Sequence, residues 1–214
     1  MNPLLGSIIA SLILIANQNT MKSFKTYLLE NQEKSQIKCD INGICKVIRE
    51  YESAGNEEKI LRVYKDTKGL PTVGHGHLVT KESPKIFSSL NINPDVLSGK
   101  SKLTPEQAET LLQRDVKSKL PVVKKLAPDF ENYSPELQAE LASETFRGMT
   151  GKSPKAMEHL RAGRYEDAAN EYLNAKEYRE AKEKKLGTAT RMENLANAIR
   201  KEGQRRSQAQ GSPR

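Results

Sequence analysis

The sequence predicts an α+β protein, with a small strand region near the start of its folded part and a larger helical lobe after it. Three observations carry this. From Tyr64 to Thr80 the run YKDTKGLPTVGHGHLVT sets short apolar stretches around glycine and proline, as strand, turn and strand do. From Ser83 onward, segment after segment opens on a helix-start signature. Late in the chain, apolar residues recur at helical spacing. Strand and helix signals are segregated, not alternating, which separates α+β from α/β.

The first 20 residues stand apart. No side chain before Lys22 is charged, and PLLGSIIASLILIA is almost wholly apolar over 14 residues. That is short of the roughly 20 residues a membrane-spanning helix needs. It has the length of a signal-peptide core without the basic flank. Three readings stay open: an export or signal-anchor segment, a membrane-active virion tail, or a helix docked on a partner. Residues 21–45 form a linker or accessory region. In KCDINGICK the Asn42-Gly43 pair signals a turn between Cys39 and Cys45. The two cysteines either close a small disulfide in an oxidising compartment or stay reduced in a local hairpin.

KVIREYES predicts a short helix with Val47, Ile48 and Tyr51 on one side. In the hairpin that follows, Gly69 supplies the positive φ of a tight turn. Ser83-Pro84, Ser134-Pro135 and Ser153-Pro154 each pair an N-cap residue with proline at the first helical position. Thr104 to Gln107 and Thr190 to Glu193 read as capping boxes. Met192, Leu195, Ala196 and Ile199 follow at i, i+3, i+4, i+7. Gly163 and Gly203 sit where helices would stop, and the polar tail GQRRSQAQGSPR reads as disordered. The chain therefore divides into segments 1–20, 21–45, a domain over 46–203 and a tail over 204–214.

Hydrophobic residues make up 36% of the chain and charged residues 29%, with a net charge of +8, so the surface is charged and the core modest. The basic balance favours polyanions: nucleic acid, anionic membrane faces or anionic cell-wall polymers. Lysines and arginines are spread along helices rich in glutamate and do not cluster with aromatics, which argues against specific nucleic-acid binding. His75 and His77 have only His159 as a further histidine, too few ligands for zinc, and no Gly-Lys-Ser/Thr follows the glycines. No metal or other cofactor is expected.

Cleavage of a glycosidic bond asks for two carboxylates, one donating a proton and one activating water or attacking. Near the hairpin the candidates are Glu50, Glu52, Glu57, Glu58 and Asp66. Any one of them could equally be a solvated surface charge. Here the residues become recognisable. Tyr64, Asp66, Gly69, Thr72, Gly74, Gly76 and His77 fall on Tyr-x-Asp-x-x-Gly-x-x-Thr-x-Gly-x-Gly-His, and the stretch resembles the T-even type phage lysozyme family, glycoside hydrolase family 24. LTPEQAETLLQRDV, LRAGRYEDAANEY and TATRMENLANAI resemble that family's later helices, so the likeness covers about residues 46–203.

The resemblance implies a lysozyme-like fold and an inverting muramidase that acts on peptidoglycan as a monomer, either as a released endolysin or on the virion. It implies catalytic roles for Asp66 and for Thr72 beside the attacking water, a structural role for His77, and an active-site-facing place for Arg191. It puts Phe146 and Arg147 at the cleft floor, where Phe146 reads as core. The acid falls on Glu52 at the end of the Val47–Tyr51 helix, although it lies 14 residues before Asp66 where the family has about nine. Glu57 keeps the shorter spacing but sits in polar GNEEK, which would leave it solvated. A general acid needs partial desolvation, which favours Glu52. Ser53 stands where the family has glycine. The rival reading is a virion structural domain of this type with weak or no activity, anchored through residues 1–45.

Overall fold

Asp40 starts the first helix. Its carboxylate accepts from the Asn42 N–H at 2.9 Å, and α1 runs Ile41–Ser53. The computed structural model describes residues 40–53, 57–66, 69–148 and 150–211. Asn42-Gly43 is thus the first turn of a helix and not a hairpin turn. In that turn the N–H groups lack intrahelical acceptors anyway, so poor helix formers cost least there. Burial of Ile44, Cys45 and Ile48 on one face outweighs the local turn preference. Cys45 is a free thiol, and burial with the nearby Glu109 charge pushes its pKa up to about 11. Cys39 and the apolar segment at residues 1–20 lie outside the described residues.

After the short α2, Glu57–Ile60, three strands form an antiparallel sheet in the order β1 (Tyr64–Lys65), β2 (Pro71–Val73), β3 (His77–Leu78). Tyr64 pairs with Thr72, and Val73 with His77. Gly69, at φ 77°, closes the first turn, and Gly74 and Gly76, at 62° and 96°, close the second. The strand region is thus a three-stranded meander, one strand more than a single hairpin. His75 lies in the second turn, so the two histidines do not share a strand.

The helices follow: α3 (Ser83–Ser89), α4 (Pro105–Leu126), α5 (Pro135–Phe146), α6 (Pro154–Arg161), α7 (Tyr165–Leu173), α8 (Lys176–Glu183) and α9 (Gly187–Gly211). Thr104 forms the expected capping box with Gln107, and Ser134 accepts from the Leu137 N–H. Ser83 does not cap α3. It is buried, and its hydroxyl serves the Thr80 N–H and His77 instead. Ser153 precedes α6 without making a side-chain cap bond. Thr190 is no helix start either, because α9 begins at Gly187.

Gly163 ends α6 in the left-handed region as expected, at φ 71°. Gly203 does not end α9, which continues to Gly211. A Cβ at Gly203 would lie 2.7 Å from the Tyr165 Cβ, so this glycine is there to let two helices touch. Just before it, buried Glu202 accepts from Arg205, Arg206 and the Ser134 N–H, which fixes the next turn where a tail was expected.

Two cores result. A small one under the sheet joins Val73, Phe87, Ile92, Val96, Leu103, Ala108 and Leu111. The large one is helical and includes Ile44, Ile48, Tyr133, Tyr172, Met192, Leu195 and Ile199. Helix α4 serves both, Leu111 the first and Leu112 the second. Helix α5 is buried on every side from Leu137 to Thr145, so its polar residues must find partners inside. Among the described residues no helix is long and apolar enough to cross a membrane.

Candidate active site

Glu52 occupies the last turn of α1, and Arg191 reaches it from α9 with Nη1 2.8 Å from Glu52 Oε1. The guanidinium is held on its other sides as well. It lies over the Tyr51 ring at 4.4 Å, Nη2 reaches Ser143 Oγ at 3.3 Å, and Nε stands 3.6 Å from Glu144 Oε1. The Glu52 side chain is 24% exposed, so it is partly desolvated but open on one side.

The sheet supplies the facing wall. Gly76 turns tightly at φ 96°, and a Cβ there would meet Phe146 Cε1 at 3.0 Å and the Glu52 carboxyl carbon at 3.8 Å. The positive φ and the tight contact with Phe146 call for glycine here, in a turn that lies against the carboxylate. Phe146 thus links the helical core to the sheet, while Arg147 pairs with Glu144 and Glu177.

Asp66 follows β1 and shapes the first turn. Its N–H donates to the Leu70 carbonyl at 2.9 Å, and its Oδ1 accepts from the Leu70 N–H at 2.8 Å. Thr72 is buried on β2 and donates to the same Leu70 carbonyl at 3.2 Å. Asp66 and Thr72 are therefore held through one backbone residue. Tyr64, opposite Thr72 in the sheet, donates to the Gly74 carbonyl at 3.3 Å. Burial pushes its pKa up to about 12, and the charges of both Glu52 and Asp66 add to the rise. Both carboxylates thus lie within electrostatic reach of one phenol.

Glu57 is exposed in the first turn of α2. His77 is buried, with Nδ1 2.7 Å from Asp115 Oδ2 and Nε2 3.0 Å from Ser83 Oγ. Ser83 Oγ accepts from the Thr80 N–H, so it is free to donate to Nε2, and the Nδ1–H then donates to Asp115. Burial lowers the pKa of His75. Among the described residues no cluster of three His, Cys, Asp or Glu could hold a metal ion.

Beside the site, Glu140 and Glu144 escape a reading of the sequence alone. Tyr51 donates to Glu140 at 3.0 Å and accepts from Asn194 at 2.6 Å. Glu140 is pushed up to about 7, chiefly by burial, with the Tyr51 hydroxyl pulling the other way. Glu144 is fully buried, 2.6 Å from the Tyr172 hydroxyl and 2.9 Å from Arg147. The only available signal was Glu140 and Glu144 at i, i+4 on a helix with little polar face.

A model of the phage lysozyme family matches residues 52–194. The chain belongs to the phage lysozyme family. The match begins at Glu52 and takes in Asp66, Thr72 and Arg191. Peptidoglycan hydrolase gp36 of Enterobacteria phage SP6 is 36% identical over 117 residues, 52% of this chain and 12% of that protein. Pre-baseplate central spike protein Gp5 of Enterobacteria phage T4 is 34% identical over 62 residues, 26% of this chain and 11% of that protein. This phage lysozyme family member therefore spans only a small part of the length of both relatives.

Proposed function

We propose that this phage lysozyme family member is a muramidase that hydrolyses the β-1,4 bond between N-acetylmuramic acid and N-acetylglucosamine in peptidoglycan. The observation that carries the reading is the Glu52 carboxylate, partly buried against Arg191 and facing the turn of the sheet that also holds Asp66 and Thr72. Glu52 gives its proton to the glycosidic oxygen as the bond to the anomeric carbon breaks. A water held by Asp66 and Thr72 attacks that carbon from the opposite face, and Asp66 takes the water's proton. Solvent then restores both protonation states. The outcome is inversion, with no cofactor. The exposed Glu57 lacks the desolvated setting a general acid needs. The net charge of +8 draws the enzyme to an anionic wall, less so at high salt.

Digestion of purified peptidoglycan tests this. N-acetylmuramic acid at the new reducing ends is expected. Reducing-end N-acetylglucosamine would contradict the bond assignment, and 1,6-anhydro ends would contradict water as the nucleophile.

The likeness to a spike protein favours a virion-borne site of action over a released one. Mass spectrometry of purified particles decides between them. The apolar segment at residues 1–20 lies before the family match and is proposed to bind a membrane or a virion partner. Deleting residues 2–20 is expected to keep specific activity and to abolish that association. Lost activity at equal folding would show that the segment packs on the enzyme.

A further inference from the structure

One arginine stands between two carboxylates at this site. Arg191 binds Glu52 through Nη1 at 2.8 Å and faces Glu144 through Nε at 3.6 Å. The Nε hydrogen has no hydrogen-bond partner among the described residues although it is buried. A buried donor 3.6 Å from a fully buried carboxylate makes that carboxylate a counter-charge to the guanidinium. The two carboxylates differ in setting. Glu144 is fully buried, whereas Glu52 is partly exposed.

We propose that Glu144 is a positioning residue for the acid: it shares the Arg191 charge with Glu52 and thereby weakens the hold of Arg191 on the ionised form of Glu52. The inference rests on Glu52 being the general acid. A single cation beside a carboxylate favours its ionised form, the form that cannot donate a proton. A second, buried negative charge on the far side of the same guanidinium offsets that pull and holds the cation at a fixed place.

The surroundings of Glu144 agree with this division. On its own helix it meets Arg147, and Glu140 lies one turn earlier. From α7 it accepts from Tyr172, and from α9 it faces Arg191. Glu177 of α8 draws Arg147 to itself at 3.0 Å. Arg147 therefore competes with Arg191 for Glu144, so the share of Arg191 left to Glu52 depends on both. The Tyr51 ring of α1 lies 4.4 Å from the guanidinium carbon.

The test is the pH–rate profile on purified peptidoglycan. A general acid is lost as pH rises through its titration, so its signature is the alkaline limb. Glu144→Gln keeps shape and an acceptor for Tyr172 but removes the charge. Its alkaline limb is expected roughly one pH unit lower than wild type, at similar activity on the acid side. Glu144→Asp should restore most of the wild-type limb. Arg147→Gln removes the competing cation and should move the limb the other way, toward higher pH. That second variant keeps the test alive where Glu144→Gln fails to fold. A limb unmoved in both variants, or moved in the same direction, overturns the inference. Glu52→Gln is run alongside: if it still cleaves, the assignment of the acid has failed, whereas a dead Glu52→Gln with unmoved limbs defeats only the role of Glu144.

Discussion

Arg191 and Glu52 meet at 2.8 Å across 139 residues of chain, joining the last turn of α1 to the early part of α9. This pair connects fold and chemistry. It fastens α9 to the end of α1 beside the candidate acid. Its surroundings are mostly buried, so changes there act on stability and on activity together.

The sheet should depend on His77 and Asp115. Their buried contact, with Ser83 on the other ring nitrogen, ties β3 to α4 and α3. Asp115→Ala leaves a buried N–H without an acceptor and should cost about 2–3 kcal/mol. Urea unfolding measures it. A cost within experimental error would show that the pair is dispensable.

Gly203→Ala should destabilise, although alanine is the better helix former. At an exposed helical site the exchange gains about 1 kcal/mol. Here the new Cβ would lie 2.7 Å from the Tyr165 Cβ and force α7 and α9 apart. An overpacking loss of about 1–3 kcal/mol is expected in thermal or urea unfolding. A stabilised variant would contradict the packing role.

Much of this was legible in the sequence. The turn glycines, the Thr104 capping box and the apolar stripe of Met192, Leu195, Ala196 and Ile199 are local signals, and the structure keeps them. The errors arise where tertiary contacts outweigh local preference. Asn42-Gly43 became helix because Ile44, Cys45 and Ile48 have a core to enter, and Gly203 is a contact point with Tyr165. Ser83 left its cap for a buried histidine. Around the candidate site, Asp66 and Thr72 lie in a contiguous motif, so a reading of the sequence can nominate them. Glu140 and Glu144 did not, because their partners come from α1, α7 and α9, and no local spacing encodes such a meeting.

Stability should fall with rising pH because of Glu140. Folded, it holds its proton up to about 7, against 4.5 for an ordinary glutamate. The folded state therefore binds more protons in that window. The contribution is complete below about 4.5 and is lost as pH rises through about 7. Glu140→Gln cannot ionise and still accepts from Tyr51. Relative to wild type it should gain stability between these limits, by no more than about 3 kcal/mol. Urea unfolding at intervals from pH 4 to 8 checks this, and parallel curves would refute it. Glu202 acts in the opposite sense. Burial raises its pKa, but Arg205, Arg206 and the Ser134 N–H more than offset that and bring it to about 2, so its contribution is lost in acid.

The most direct test of the central claim is hydrolysis of purified peptidoglycan by Glu52→Gln beside Glu57→Gln, each confirmed folded by circular dichroism. Glutamine keeps the shape of Glu52 and its contact with Arg191 but has no proton to give. Cleavage by Glu52→Gln should drop by at least about a hundredfold, the scale of general-acid catalysis, while Glu57→Gln stays near wild type. A folded Glu52→Gln that cleaves at the wild-type rate, or a loss confined to Glu57→Gln, would contradict the assignment of the acid.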